Sequence, residues 1–269
     1  MMTKAAAGEI RVGIGGWTYE PWRGTFYPDK LPQKRELEYA SRQLTSIEIN
    51  GTFYGLQKPE TFAKWRDETP DGFVFSLKAP RFTTNRKVLG SAGDSIAKFL
   101  ACGVMELKQK LGPINWQLTP TKQFDSKDFE SFLKLLPKKS EGRKLRHAVE
   151  VRHESFRCEE FITLLREHGV AAVTAGDSSY PQIADATAPF AYARIMGTKE
   201  SEKLGYSQTS LDNWAARARS WASGSAATGM DCIATPKSDG KAHDVYLYVI
   251  SGDKVRNPSA AVSLLQRVA

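Results

Sequence analysis

Eight short runs rich in β-branched and apolar residues recur along this chain, at 11–14, 46–50, 73–78, 114–118, 148–152, 170–175, 190–195 and 244–249, and each predicts a strand. Segments of helical periodicity follow most of them, at 36–44, 59–68, 91–111, 126–136, 159–168, 211–221 and 259–268. Strands that alternate with helices pair in parallel, and eight is the number that closes into a (β/α)8 barrel with a packed interior. An open doubly wound sheet is the alternative. Residues 176–189, after the sixth strand, read as loop. The expected fold is therefore α/β, a single (β/α)8 TIM-barrel-like domain with a poorly helical connection after strand six.

One helix shows its logic in full. Asp125 caps the segment 126–136, Asp128 stands at N3 as a capping-box partner, and Phe124 and Phe129 are spaced as a hydrophobic staple. Phe129, Phe132, Leu133 and Leu136 then form its apolar stripe.

The length of 269 residues would permit two average domains, but α/β barrels use about 250 residues as one. No Pro, Gly or Ser-rich linker divides the chain, so 10–269 reads as one domain behind a flexible N-terminus, 1–9. The longest apolar run is about seven residues, near 245–250, whereas a membrane span needs roughly 20. No membrane association is expected. Residues 1–9 lack the apolar core of a secretory signal, which makes the cytoplasm the default location. Cys102, Cys158 and Cys232 form no CxxC pair or zinc spacing and read as inert thiols of a reducing compartment. With 38 Lys and Arg against 30 acidic residues, the net charge of +8 favours anionic partners without choosing nucleic acid over a small phosphate.

In a barrel of this kind the working residues stand where strands run into the loops that follow them. This chain places there Glu48 and Asn50 on strand two, Lys78 on three, Gln117 on four, Glu150, Arg152 and His153 on five, Asp177 after six and Arg194 on seven. Alternation points Glu48 and Asn50 to one side, and Glu150 and Arg152 likewise. Two readings stay open. In one, Glu48, Lys78, Glu150 and His153 are proton-transfer groups, with Lys78 alternatively an imine-forming amine. In the other, Glu48 and Glu150 pair with Lys78 and Arg152 in a buried structural network. His147, His153, His168 and His243 are too dispersed for a histidine metal centre, and no cofactor is expected, although a carboxylate site for Mg²⁺ or Mn²⁺ stays compatible with the set.

Two glycine turns, Gly197-Thr198-Lys199 after strand seven and Ser251-Gly252-Asp253-Lys254 after strand eight, sit where many barrels bind phosphate, and Arg81, Arg86 and Lys87 add positive charge to that face. Solvated lysines in tight turns are the bland alternative. The run Gly13-Ile14-Gly15-Gly16 lacks the third glycine of a dinucleotide fingerprint, since Thr18 stands there. Trp17, Tyr19, Trp22, Phe26 and Tyr27 crowd the first connection, echoed by Phe53 and Tyr54; they either stack on a ligand or pack as a plug. Lys138, Lys139, Arg143, Lys144 and Arg146 precede strand five and read as a solvated loop on the opposite face.

Several of these stretches carry a resemblance. Gly15-Gly16-Trp17-Thr18-Tyr19 with Trp22, Gly24 and Phe26-Tyr27-Pro28, then Glu48 to Tyr54, Lys110-Leu111-Gly112-Pro113 and Glu150-Val151-Arg152-His153, together resemble the domain of unknown function 72 family, the YecE-like proteins. The resemblance implies a TIM barrel and no established reaction, and it sets Glu48, Asn50, Lys78, Gln117, Glu150, Arg152, His153, Asp177 and Arg194 on typical family positions. The chain departs from the family pattern at Asn85 and Met196, where histidine is usual, at Thr119-Pro120 in place of Pro-Pro, and at Ile250-Ser251-Gly252 in place of an Asn- and Asp-rich turn.

The first expectation is thus an enzyme that uses acid/base chemistry at Glu48, Lys78, Glu150 and His153 on a small anionic ligand, phosphorylated or sugar-like. Trp17, Tyr19, Asn50, Tyr54, Gln117, Arg152, Asp177, Arg194, Gly197, Ser251 and Gly252 are the candidate binding residues. A nucleic-acid binding or processing protein is the alternative that +8 and the aromatic loop support, and a silent ligand-binding barrel is the one the lost imidazoles support.

Overall fold

Near-continuous burial along short strands is the signature of a parallel sheet covered on both faces, and the strands here follow it. The structure, a computed structural model, describes residues 8–236 and 240–269, so all but the last two residues of the tail expected at 1–9 lie outside it. The strands are β1 (Ile10–Gly15), β2 (Ser46–Ile49), β3 (Val74–Lys78), β4 (Leu111–Gln117), β5 (Lys139–Ser140), β6 (Arg143–Lys144), β7 (His147–Glu150), β8 (Ala171–Gly176), β9 (Phe190–Ile195) and β10 (Asp244–Val249). Every residue of β2, β3, β7 and β8 is buried. All but β5 and β6 form a closed parallel barrel in the order β1-β10-β9-β8-β7-β4-β3-β2, the expected (β/α)8 architecture. The helices are α1 (Glu36–Gln43), α2 (Gly51–Tyr54), α3 (Pro59–Asp67), α4 (Arg81–Thr84), α5 (Gly93–Ala101), α6 (Ser126–Leu135), α7 (Glu159–His168), α8 (Gln208–Ala222) and α9 (Asn257–Val268). Residues 177–189, after β8, contain no helix, as the loop reading anticipates.

The chain divides into two compact units, Gly15–Phe156, and Arg157–Ala269 with the N-terminal residues through Ile14. In the first, α6 keeps its sequence logic: the Asp125 side chain accepts from the Asp128 N–H, and Phe124 lies 5.9 Å from Phe129. The continuous helix expected over 91–111 is broken. α5 ends at Ala101, Gly103 takes φ +109°, and 3-10 turns cover Val104–Lys110. The cause is a close approach, because a Cβ at Gly103 would stand 2.5 Å from the Pro59 Cα. Beyond the break, buried Lys110 donates to the Arg66 carbonyl (2.7 Å) and the Thr69 carbonyl (2.6 Å), satisfying acceptors at the C-terminal end of α3. A Cβ at Gly112 would meet Val74 at 2.6 Å, so β4 lies against β3 only with glycine there. The basic loop is a correction of another kind: β5 and β6 form an antiparallel hairpin whose two turn residues, Glu141 and Gly142, both have positive φ, the geometry that matches strand twist.

In the second unit β8, β9 and β10 pair in register and β1 adds to β10. α8 is capped by Ser207, which accepts from the Ser210 N–H, and packs Leu211, Trp214, Ala215 and Ala218 inward. α9 carries a proline in its first turn, where the ring costs no intrahelical hydrogen bond.

Candidate active site

The side chains gathered at the C-terminal strand ends of the first unit form one polar cluster. Register places Lys78 beside Asn115 and Gln117 beside Glu150, and sets Glu48 beside Ser76, on the same pleat face as Lys78. Glu48, Asn115 and Glu150 are wholly buried, and Lys78 and Gln117 nearly so. The Asn115 amide joins the two carboxylates: its Nδ2 lies 3.3 Å from Glu150 Oε2 and 3.5 Å from Glu48 Oε2. Both lengths are at or beyond the outer edge of N–H···O bonding, so the amide positions the carboxylates more than it neutralises them. The Asn115 Oδ1 is buried without a hydrogen-bond partner among the described residues.

Arg152 holds the other side of Glu150. Its Nε and Nη2 approach Oε1 at 2.9 and 2.8 Å, and Nη2 also donates to Gln117 Oε1 at 2.8 Å. The strand ends at Glu150, so Arg152 reaches its partner from the loop rather than by strand alternation. Alternation fails at Asn50 too: this half-buried residue is already helical, at φ −83° and ψ −21°, and begins α2. The Thr52 hydroxyl of that turn donates to the Lys78 carbonyl at 2.7 Å, tying the ends of β2 and β3 together. Lys78 Nζ stands 4.1 Å from the Phe53 ring centroid, a cation–π contact.

His153, also past the strand, is half-buried. The Ser155 N–H points to its Nδ1 at 3.2 Å and the Ser155 hydroxyl lies at 2.8 Å. A backbone N–H can only donate, so Nδ1 accepts and the neutral ring carries its proton on Nε2. His153 is thereby a donor rather than a ready base. His147 is different: Trp116 Nε1 donates to its Nδ1 (3.1 Å), its Nε2 faces the Pro137 carbonyl (2.9 Å), and burial holds it below the ordinary imidazole pKa.

The aromatic loop is packed rather than open. Trp17 lies edge-on to Trp65 at 5.2 Å and near Phe75 at 6.4 Å, and Phe75 is on the pleat face opposite Lys78. Tyr19 packs on Trp22, and the buried Tyr27 donates to the Trp17 carbonyl at 2.6 Å. Tyr54 is the exception, 70% exposed, with the Arg81 guanidinium 5.7 Å from its ring centroid.

The second unit places the remaining candidates in turns that bond to themselves. Asp177 has φ +53°, and its Oδ2 accepts from Trp214 Nε1 at 2.8 Å. The Tyr206 hydroxyl accepts from the Gly197 N–H at 2.7 Å and bonds to the Asp177 carboxylate; burial and that charge push the phenol pKa up. A Cβ on Gly197 would stand 2.6 Å from the Asp177 Cβ. Thr198 Oγ1 contacts the Ser251 carbonyl (2.8 Å), the Asp253 carbonyl (3.0 Å) and Asn257 Oδ1 (2.8 Å), and Gly252 lies so close to Thr198 that no side chain fits. Ser251 and Gly252 are exposed. Asp253, through its carboxylate, takes the Val255 N–H, so the turn before α9 carries its own anion. Arg194 is buried in β9 beside Tyr248.

Among the described residues no group of three His, Cys, Asp or Glu side chains is close enough to hold a metal ion. The three cysteines are free and half-buried, with the Cys102 and Cys232 thiols pushed up by burial. No helix among the described residues is long and apolar enough to cross a membrane.

A closed parallel barrel with charged side chains gathered at the C-terminal ends of its strands defines a protein of the TIM-barrel class. The chain belongs to the family described as "Protein of unknown function DUF72", whose model matches residues 11–269. It is similar to a DUF72 family protein of Thermotoga maritima (TM-score 0.69, 22% identity, covering 96% of this chain and 97% of the other). It is likewise similar to one of Enterococcus faecalis (TM-score 0.71, 15% identity, 96% and 95%). At these identities the likeness shows the fold. A curated relative, the UPF0759 protein YecE of Escherichia coli, is 31% identical over 150 residues, 55% of this chain and 50% of the relative. The YunF protein of Bacillus subtilis is 31% identical over 70 residues, 26% of this chain and 24% of that protein. The chain thus spans about half the length of the first of these curated relatives, and less of the second.

Sequence reasoning missed Asn115. It stands inside an apolar strand, where a polar amide signals a buried partner.

Proposed function

We propose that this chain is an enzyme that performs acid/base chemistry on a small anionic molecule, phosphorylated or sugar-like. The observation that carries the reading is the pair of wholly buried carboxylates, Glu48 and Glu150, brought to one Asn115 amide at the strand ends. Buried carboxylates are costly, and two of them brought to one amide at the strand ends of a barrel are groups whose proton affinity is set by their surroundings. Arg152 fixes one oxygen of Glu150 and leaves Oε2 on the Asn115 side. Glu48 and Glu150 are the proton-transfer groups, Lys78 stabilises developing negative charge, and His153 donates from Nε2.

The reading is tested without knowledge of the substrate. The protein is incubated in deuterium oxide with panels of phosphorylated sugars and small carboxylates, and solvent deuterium entering C–H positions is followed by NMR. Exchange that disappears in Glu48→Gln and Glu150→Gln supports the proposal. Exchange that both variants retain refutes the assignment of these residues, and no exchange across the panels refutes the reaction type.

A second reading, nucleic-acid binding, is favoured by exposed Tyr54 and Phe82 beside Arg81, since aromatic faces with a guanidinium are a stacking platform for bases. Oligonucleotide affinity that falls steeply with salt would support it.

A further inference from the structure

An open cleft of about 520 Å³ lies in the first unit, lined by Asn85, Arg86 and Lys87 beyond α4, and by Thr119, Thr121, Lys122 and Gln123 beyond β4. Its volume is in the range of small-molecule sites. Three of the seven lining residues are cations and none is an acid. What matters is how these cations are spent.

Arg86 is half-buried and, among the described residues, makes hydrogen bonds only to neutral oxygens: the Ser91 carbonyl (2.7 Å) and hydroxyl (3.2 Å), the Phe82 carbonyl (3.0 Å) and the Ser95 hydroxyl (3.2 Å). Its Nε is buried with no hydrogen-bond partner among the described residues. Asp94 lines a neighbouring cleft with Arg86, but the described residues form no ion pair between them. The guanidinium is therefore held by several hydrogen bonds with no carboxylate partner among the described residues. Lys122 donates to the Lys87 carbonyl (2.8 Å) and to Asp128 Oδ2 (2.7 Å), leaving the third N–H of the ammonium without a partner among the described residues. Asp128 is not a lining residue. Burial opposes its ionisation, but the Gly90 N–H, the Lys122 ammonium and the Leu89 N–H hold its carboxyl below the ordinary value. That carboxylate is an ion-pair partner of Lys122 at 2.7 Å and offsets this one cation, which leaves Arg86 and Lys87 as the excess charge of the cleft. Lys87 is exposed.

We infer that this cleft binds the phosphate group of a small phosphorylated molecule. A dianion answers the charge of Arg86 and Lys87, the remaining N–H of Lys122 can donate to it, and the amide and hydroxyl groups of Asn85, Thr119, Thr121 and Gln123 suit its oxygens. A pre-fixed guanidinium loses little conformational freedom on binding. The inference deepens the proposed function by naming the anion and its seat, and it rests on that reading only for the word substrate.

The test is titration of the whole chain at low ionic strength with inorganic phosphate and with glycerol phosphate, read by backbone amide NMR shifts. Expected are shifts at 85–90 and 119–123 with Kd in the millimolar range, weakened about threefold to tenfold in Lys87→Gln and in Lys122→Met. The Lys87 side chain is exposed and makes no hydrogen bond or ion pair among the described residues, so K87Q keeps the test interpretable if K122M unfolds. Shifts confined to 138–146, or unchanged affinity in K87Q, overturn the inference. So does an oligonucleotide that moves the same amides while neither phosphate does, because the cleft would then serve nucleic acid. Phosphate binding that survives in a protein without deuterium exchange keeps this site and removes the proposed reaction; exchange on carboxylates without phosphate shifts does the reverse.

Discussion

The two units use their polar residues at strand ends in opposite ways. In Gly15–Phe156 the carboxylates of Glu48 and Glu150 are buried around one amide at long distances, and the cations of the nearby loops bond mostly to neutral oxygens. In the second unit the polar turns close on themselves. Thr198 is bound into the 251–257 turn, Asp253 caps the residues after it, and Asp177 is gripped by Trp214 and Tyr206. Polar residues at strand ends thus divide into a group of buried carboxylates gathered around Asn115 and Arg152 and a group whose turns bond to one another. The proposed ligand chemistry belongs to the first; in the second an anion would have to displace an existing carboxylate or hydroxyl.

The largest effect that can break this contrast is expected at Arg152. Truncation in Arg152→Ala strands the wholly buried Glu150, a loss of about 3 to 5 kcal/mol by denaturant unfolding. A loss under about 1 kcal/mol would show that the first unit neutralises its carboxylates by other means. In the second unit, Gly252→Ala places a Cβ 2.4 Å from the Thr198 carbonyl at φ +88°, and overpacking of this kind costs about 1 to 3 kcal/mol. A neutral outcome there would mean that the turn is loose enough to receive a ligand.

A third effect concerns pH. Burial lowers the folded-state pKa of His147, so between its folded and unfolded values the unfolded chain binds more protons. The stabilisation is full above about pH 6.5 and is lost as pH falls below it, with a slope of at most about 1.4 kcal/mol per pH unit. Melting temperature followed from pH 8 to 5 should therefore fall more steeply in the wild type than in His147→Gln, whose amide can accept from Trp116 and donate to Pro137. Equal slopes would contradict this role. The smallest effect is expected at the hairpin, where Lys144 stands directly opposite Lys139: Lys144→Glu should stabilise by about 0.2 to 1 kcal/mol, readable as a raised melting temperature.

Much of the barrel is legible in the sequence because parallel strands buried on both faces leave uninterrupted apolar runs, and the bounds of 190–195 and 244–249 agree with β9 and β10. What is not legible depends on contacts between distant residues. The break at Gly103 comes from Pro59, some forty residues away, while the segment's own periodicity continues through it. The hairpin at 139–144 is masked by its lysines and arginine; its one local signal is the Glu141-Gly142 pair. Of the site, Glu48, Lys78, Gln117 and Glu150 could be placed from strand ends alone. Arg152 and Asn50 lie past the point where alternation holds, and Asn115 needs the pairing of β4 with its neighbours before its amide can be seen to join two carboxylates.

The central claim, that ligand chemistry belongs to the first unit, is tested most directly by mapping where a small phosphorylated sugar perturbs the backbone amides of the whole chain. The account predicts shifts at 48–50, 85–90, 115–123 and 150–153, with 197–206 and 250–257 unmoved. Shifts confined to 197–206 and 250–257 would contradict it, because the self-bonded turns would then be the binding site and the buried carboxylates a structural network.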